Sequence, residues 1–291
     1  MSDSEVFLPQ ITADGSLTFF SPEFQESFHS RAGAKWEAEN KFIEPCQLGK
    51  KAQEQERLRI LDICYGLGYN SASALAKIWQ INPNCQVELI ALELDRRVPQ
   101  TAIAQQLLSH WNSPIPELLS QLATSYQLKT PLLQAKLMIS DARSIVKSLA
   151  QSGFQADAIF LDPFSPPKCP QLWTVEFLAL VSQCLKPTGR LATYSCAASV
   201  RTALLLAGLE IASTVAVGRN SPGTVASFTL QDLPSLSVRE QEHLQTRASI
   251  PYRDPSLTDS ATAIAQRRQE EQAFSDKEPT SHWKKRWFGY S

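Results

Sequence analysis

The sequence predicts an α/β fold: a mainly parallel, Rossmann-like sheet with helices on both faces, closed by a final antiparallel hairpin and preceded by a small N-terminal hairpin and helical extension. Three observations predict it. From Arg59 onward, short apolar strand patterns alternate with amphipathic helical ones, the order of a sheet built from crossover units. One apolar strand, Leu61-Asp62-Ile63, runs straight into the small-residue turn Gly66-Leu67-Gly68. The last two strand patterns are joined by Gly218-Arg219-Asn220-Ser221-Pro222-Gly223, a turn-rich hairpin loop.

The elements follow in order. Asp14-Gly15 lies between the β-prone residues Ile11 to Phe20, the pattern of a tight hairpin. Residues 22–45 read as a helical lid, with Phe24, Phe28, Ala32 and Trp36 spaced about one turn apart. Strands are expected at Arg59 to Cys64, Val87 to Leu92, Lys136 to Ile139, Ala156 to Leu161 and Arg190 to Ser195, and then at Glu210 to Val217 and Thr224 to Thr229. Helices are expected at Asn70 to Gln80, Arg97 to His110, Ala142 to Gln151, Leu172 to Leu185 and Ala198 to Ala207. The stretch from Trp111 to Pro131 reads as an insertion with a short helix near Leu118 to Leu128 that covers a sheet edge. A polar C-terminal region carries a helix at Ala261 to Phe274 and a basic-aromatic tail, Trp283-Lys284-Lys285-Arg286-Trp287-Phe288-Gly289-Tyr290. The expected organisation is therefore an N-terminal hairpin and lid (1–56), a Rossmann-like domain (57–232) and a C-terminal extension (233–291).

Composition narrows the classes. With 43% apolar and 20% charged residues over 291 positions, the chain has enough apolar material for a substantial core and is too apolar to be disordered. No apolar run approaches the roughly 20 residues that span a bilayer, and the acidic start around Asp3 and Glu5 lacks a signal peptide's pattern, so a cytoplasmic protein with no membrane partner is expected. The 6 cysteines are scattered without metal-ligand spacing, which predicts reduced thiols and no metal site. A net charge of −1 gives no global attraction to nucleic acid, so RNA binding would need a local basic patch.

Four local motifs carry chemistry. Around Asp62, Tyr65, Gly66, Gly68 and Asn70, glycines let the backbone approach a nucleoside where a Cβ would intrude. Ser71 stands where a dinucleotide-binding fingerprint has its third glycine, which argues against a nicotinamide or flavin enzyme. Glu93 ends the next strand, where such folds place a carboxylate for ribose hydroxyls, with Asp95 as the competing choice. Asp141, followed by Ala142, can accept from an adenine amino group, cap the following helix, or do both. The segment Leu161-Asp162-Pro163-Phe164-Ser165-Pro166-Pro167-Lys168 ends the fourth strand, where a reacting group belongs in a doubly wound sheet. There Asp162 and neighbouring carbonyls can orient an amine lone pair, Phe164 can stack on a planar base, and prolines fix the geometry beforehand. Lys168 and Arg201 are candidate phosphate contacts.

The element order resembles that of class I S-adenosylmethionine-dependent methyltransferases, and Asp162-Pro163-Phe164 resembles the Asn/Asp-Pro-Pro-Tyr/Phe motif of those acting on amines of planar bases. Phe160 to Thr174, Ala192-Thr193-Tyr194-Ser195, Val217-Gly218-Arg219 and Tyr65 to Asn70 together are similar to the MnmC-type tRNA 5-aminomethyl-2-thiouridine methyltransferase domain, a likeness that runs to about Asp254. The resemblance implies S-adenosylmethionine as cofactor, tRNA as partner, and methyl transfer to the aminomethyl nitrogen of the wobble uridine. It also implies Asp162 as the catalytic acid and brings Arg219 into the substrate side. Two features depart from it. Cys169 replaces the usual Asn, and no FAD-binding oxidase sequence follows, so methylation alone is expected, with separate enzymes supplying the aminomethyl precursor.

Rival readings are a methyltransferase on another amine, a spermidine-synthase-like aminopropyltransferase, and a non-catalytic RNA-binding scaffold. Cofactor preference separates the aminopropyltransferase. A polyamine site needs several acids, whereas the loop after Asp162 is proline-rich and flanked by Lys168. Failure to bind S-adenosylmethionine would favour the scaffold.

Overall fold

The computed structural model describes residues 7–216, 221–229 and 231–289. Strands β1 (Pro9–Ile11), β2 (Leu17–Ser21) and β3 (Glu26–Ser27) form a small antiparallel sheet, with Ile11 paired to Leu17 around the Asp14-Gly15 turn. The expected hairpin is there. The expected helix over residues 22–45 is largely not: turns and β3 occupy its first half, and helix α1 (Ala34–Ala38) begins only after Gly33 and continues into a π-helical turn, Glu39–Ile43. Phe24 and Phe28 are one helical turn apart by coincidence, their rings being drawn instead onto Phe164. Helix α2 (Leu48–Glu54), absent from the sequence reading, then leads into the main sheet.

Strand β4 (Arg57–Ile63), helix α3 (Tyr69–Ile81), strand β5 (Gln86–Glu93) and helix α4 (Arg97–Ala104) follow. Helix α4 ends well before the expected His110, since Gln106 adopts a left-handed φ of 56°. Helix α5 (Ile115–Ser125) and strand β6 (Gln127–Lys129) make the insertion, which adds an antiparallel strand to β7 (Leu133–Ile139). Next come α6 (Ala142–Gln151), β8 (Ala156–Leu161), a 3-10 turn at Pro170–Trp173, α7 (Val175–Gln183), β9 (Leu185–Thr193) and α8 (Ala198–Leu206). The hairpin of β10 (Glu210–Ser213) and β11 (Thr224–Ser227) pairs onto β9. Helices α9 (Val238–His243), α10 (Ala261–Ala273) and α11 (Thr280–Phe288) complete the chain.

The main sheet has the order β10-β11-β9-β8-β4-β5-β7-β6, parallel from β9 through β7. Its strands are buried on both faces, as a sheet sandwiched by helices requires. Along β4, Leu58 and Ile60 enter one core while Leu61 and Ile63 enter the other, and β8 divides in the same way with Ala158 and Phe160 against Ile159 and Leu161. From β4 the chain first winds outward through β5 and β7, then crosses back to β8 and β9. The order reverses between β4 and β8, so a crevice opens at their carboxyl ends. Among the described residues no helix is long and apolar enough to cross a membrane.

The basic-aromatic tail is docked. Trp283 is buried, stacks on His243 at 4.0 Å and donates to the Arg239 carbonyl, while Arg286 bridges Glu242 and Glu278. Lys284 and Lys285 stay exposed.

Candidate active site

A cavity of about 390 Å³ lies at the crevice between β4 and β8, lined by residues from β2 and β3, the ends of β4, β5, β7 and β8, and Tyr194. The glycine turn forms its floor. Gly66 has φ 56° and donates its N–H to Glu93 Oε2 at 2.8 Å, while Glu93 Oε1 accepts from the amides of Leu94 and Asp95. Burial raises the Glu93 carboxyl above its ordinary value, and those three amide donors oppose the rise. Asp141 caps α6 by accepting from the Arg143 amide at 2.8 Å and pairs with the Arg143 guanidinium. Its side chain and Ala142 both reach the cavity wall.

The predicted residues divide by position. Gly66, Glu93, Asp141, Ala142, Asp162 and Phe164 line the cavity; Tyr65 and Asn70 line a smaller adjoining recess. Asp62 and Gly68 line neither. Asp62 is wholly buried under the turn, where Ser71 donates to it at 2.7 Å. Burial pushes its carboxyl up to about 7 against that hydrogen bond, and its Oδ1 has no partner among the described residues. Its position is structural support rather than direct contact with a ligand in the cavity. Gly68, at φ 85°, sits where a Cβ would come within 2.6 Å of the Tyr65 hydroxyl. Asp95, two residues before α4, accepts from the Arg97 amide at 2.9 Å and pairs with its guanidinium.

On the other wall, the loop after β8 is clamped from several directions. Asn70 Nδ2 donates to Asp162 Oδ2 at 2.9 Å. The Tyr194 hydroxyl donates to the Pro163 carbonyl at 3.0 Å and the Trp173 indole to the Phe164 carbonyl at 2.9 Å. These two carbonyls beside Asp162 each already accept one hydrogen bond. Phe164 stacks on Phe24 with centroids 4.3 Å apart and meets the Phe28 ring at 5.1 Å, giving an apolar aromatic wall. His29 also faces the cavity, and burial pulls its imidazole down to about 4 despite Glu37 and Asp14.

Two predicted substrate contacts need correction or relocation. Arg201 is only 2% exposed and is paired with Glu240 at 2.8 Å, with further bonds to Thr224, Ser213 and the Gly223 carbonyl. It is a buried structural cation that cannot reach a substrate phosphate. Lys168 is exposed beyond the loop and does not line the cavity. Arg219 lies outside the described residues.

Several cavity residues carried no sequence signal that marked them. Seven carboxylates line it (Glu23, Glu26, Glu37, Glu93, Asp95, Asp141, Asp162) against two arginines, Arg31 and Arg97. The acids that the Asp162 loop lacks are thus supplied by the N-terminal segment, which weakens the composition argument against a polyamine-like cation. Gln171 also lines the cavity, with its Oε1 buried and without a partner among the described residues. A bare glycine backbone, an orphaned buried acceptor and carboxylates at the ends of β5 and β7 fit a cationic nucleoside cofactor.

Comparisons with known proteins agree with that chemistry. Residues 99–229 match a family described as S-adenosyl-L-methionine-dependent methyltransferase. The fold superimposes on the crystal structure of MNMC2 from Aquifex aeolicus with a TM-score of 0.81 and 32% identity, covering 93% of this chain and 86% of that one. The chain belongs to the MnmC-type methyltransferase family. As such it is an S-adenosylmethionine-dependent methyltransferase related to tRNA-modification enzymes. It is 30% identical over 220 residues to the tRNA 5-methylaminomethyl-2-thiouridine biosynthesis bifunctional protein MnmC of Methylibium petroleiphilum, covering 72% of this chain but 33% of that protein. The chain thus spans about a third of the bifunctional MnmC proteins that it matches. An uncharacterized protein of Methanocaldococcus jannaschii is 28% identical over 89% of this chain and 70% of its own length.

Proposed function

We propose that this protein methylates the aminomethyl nitrogen on the wobble uridine of tRNA. The observation that carries the reading is the convergence of Asp162 and the Phe24–Phe28–Phe164 aromatic wall on the cavity that Gly66, Glu93 and Asp141 also line. In this reading Glu93 accepts from the ribose hydroxyls, and Asp141 with Gln171 accepts from the adenine amino group, all three lining the cavity. Bound S-adenosylmethionine supplies a methyl group activated by an adjacent sulfonium.

Asp162 then has two tasks on the acceptor. Its carboxylate accepts a hydrogen bond from the amine, aiming the nitrogen lone pair, and takes the proton that leaves nitrogen as the new N–C bond forms. Asn70, donating to Oδ2, fixes the carboxylate's orientation. The aromatic wall gives a planar base a surface to pack on. The acidic lining favours a positively charged cofactor and a basic acceptor.

The test is to incubate the protein with labelled S-adenosylmethionine and tRNA carrying 5-aminomethyl-2-thiouridine, with an Asp162→Ala control, and identify the product nucleoside by mass spectrometry. Methylaminomethyl product that the variant loses is the expected result. Cofactor binding without product would overturn the tRNA reading and leave another amine acceptor. Activity with decarboxylated S-adenosylmethionine would instead favour aminopropyl transfer.

A further inference from the structure

One contact on the acceptor wall is not required by the chemistry of methyl transfer. Glu26, in the two-residue strand β3, accepts a hydrogen bond from the Ser165 amide at 2.9 Å through Oε2 and a second from the Ser165 hydroxyl through Oε1. The two residues are 139 positions apart in sequence. Glu26 is half-buried, and among the described residues its oxygens meet Ser165 rather than a lysine or arginine. The two bonds tie the N-terminal segment to the loop after β8 through a single side chain.

The same segment supplies the aromatic neighbours of the loop. Phe24 stacks on Phe164 and Phe28 meets its edge, so alternate residues 24, 26 and 28 seat on two consecutive loop residues. From the Rossmann side, Tyr194 and Trp173 hold the carbonyls of Pro163 and Phe164. Among the described residues, Glu26, and no residue of the main sheet, takes the Ser165 donors. Pro163 and Pro166 restrict the backbone on either side of Phe164 and Ser165, three residues from Asp162.

We propose that Glu26 is a positioning residue for methyl transfer, acting through Ser165 to set where Asp162 and Phe164 stand relative to the cofactor side of the cavity. The inference rests on Asp162 as the residue that meets the acceptor. A misplacement of about 1 Å at a reacting group costs about 100-fold in rate. A loosened rather than displaced loop costs less, so Glu26→Ala is expected to lower kcat by about 10- to 100-fold.

The test uses the full chain as wild type, Glu26→Ala, Glu26→Gln, Ser165→Ala and the Glu26→Ala/Ser165→Ala double variant. Amide hydrogen exchange on the protein alone comes first. Glu26→Ala should speed exchange across 163–169 while leaving 156–161 unchanged, and equal exchange in the loop would overturn the proposal. This readout needs no acceptor. A failure of the tRNA reading would therefore appear as an inactive wild type with the exchange result intact.

Kinetics follow on whichever amine acceptor the wild type methylates. The expected pattern is a lower kcat with KM for cofactor and acceptor within threefold of wild type, a smaller loss in Ser165→Ala, which keeps the amide bond to Glu26, no loss in the double variant beyond that of Glu26→Ala, and partial recovery in Glu26→Gln. A raised acceptor KM with kcat retained would make Glu26 a substrate contact and overturn positioning. Losses that multiply in the double variant would also overturn it. If Glu26→Ala fails to fold, Ser165→Ala, which deletes a single hydroxyl, decides the kinetic question alone.

Discussion

Removing Glu240 should destabilise the protein without weakening its hold on substrate. Arg201 is 2% exposed, and among the described residues its ion-pair partner is Glu240 at 2.8 Å. Glu240 also accepts from Ser213 at 2.6 Å and closes a capping box with Ser237 at the start of α9. Glu240→Ala leaves the guanidinium buried without its counter-charge, a change that costs about 3–5 kcal/mol. At about 2 °C per kcal/mol for a chain of this size, Tm should fall by about 6–10 °C. Arg201→Met combined with Glu240→Leu removes both charges and should recover most of the loss. The assay is thermal unfolding followed by circular dichroism near pH 7.5, with the salt dependence of tRNA binding measured in parallel. A fall below about 2 °C, or an Arg201→Met variant that binds tRNA more weakly at unchanged Tm, would refute the assignment of Arg201 to the interior.

The same pair predicts an acid limb. Burial raises the Glu240 carboxyl, but hydrogen bonds from Ser213 and Ser237 together with Arg201 outweigh it and hold the group at about 2, below its ordinary 4.5. A depressed carboxylate contributes fully above about pH 4.5 and loses its contribution as pH falls toward 2. The Tm difference between wild type and Glu240→Ala should therefore shrink across that interval.

Four further outcomes follow from the cavity and the tail. Asp162→Asn keeps an acceptor for the Asn70 amide but not a proton acceptor, so kcat should fall by about 10²–10⁴ with cofactor Kd within threefold, measured by single-turnover transfer and calorimetry. Glu93→Ala removes the acceptor of three backbone amides and should weaken S-adenosylmethionine by at least about tenfold. Because burial raises the Glu93 carboxyl, affinity in the wild type should begin to drop above pH 4.5 as the solution is acidified. Trp283→Ala should cost about 3 kcal/mol in urea unfolding, since the ring is buried against His243, and an unchanged midpoint would show the tail to be loosely held.

Much of the fold was legible because its signals are local and periodic. Strand β8 and helix α6 have the predicted limits, and the alternation of two buried faces along the sheet follows directly from the apolar runs. The N-terminal misreading has a physical source: Phe24 and Phe28 satisfy a helical spacing, but the tertiary contact with Phe164 decides their conformation. Helix α2 begins from a left-handed Gln47, contains Gly49 and buries only Leu48, Lys51 and Ala52, too few positions to register as a period. At the site, residues embedded in motifs were visible; Glu23 and Glu26 were not. A lone acid among polar neighbours acquires meaning only from what the fold brings opposite it. Arg201 was misjudged for the complementary reason, since a cation's burial cannot be read from its sequence neighbours.

The two walls of the cavity come from separate stretches of chain: residues 21–31 face the loop at 162–165, while the glycine turn, Glu93 and Asp141 make the other side. Selection can therefore edit one short segment near the start and alter which nucleophile is admitted, leaving the grip on the methyl donor as it was. Libraries confined to 21–31 are accordingly the economical way to retarget this scaffold, provided the acid at 26 and the hydroxyl at 165 are exchanged together.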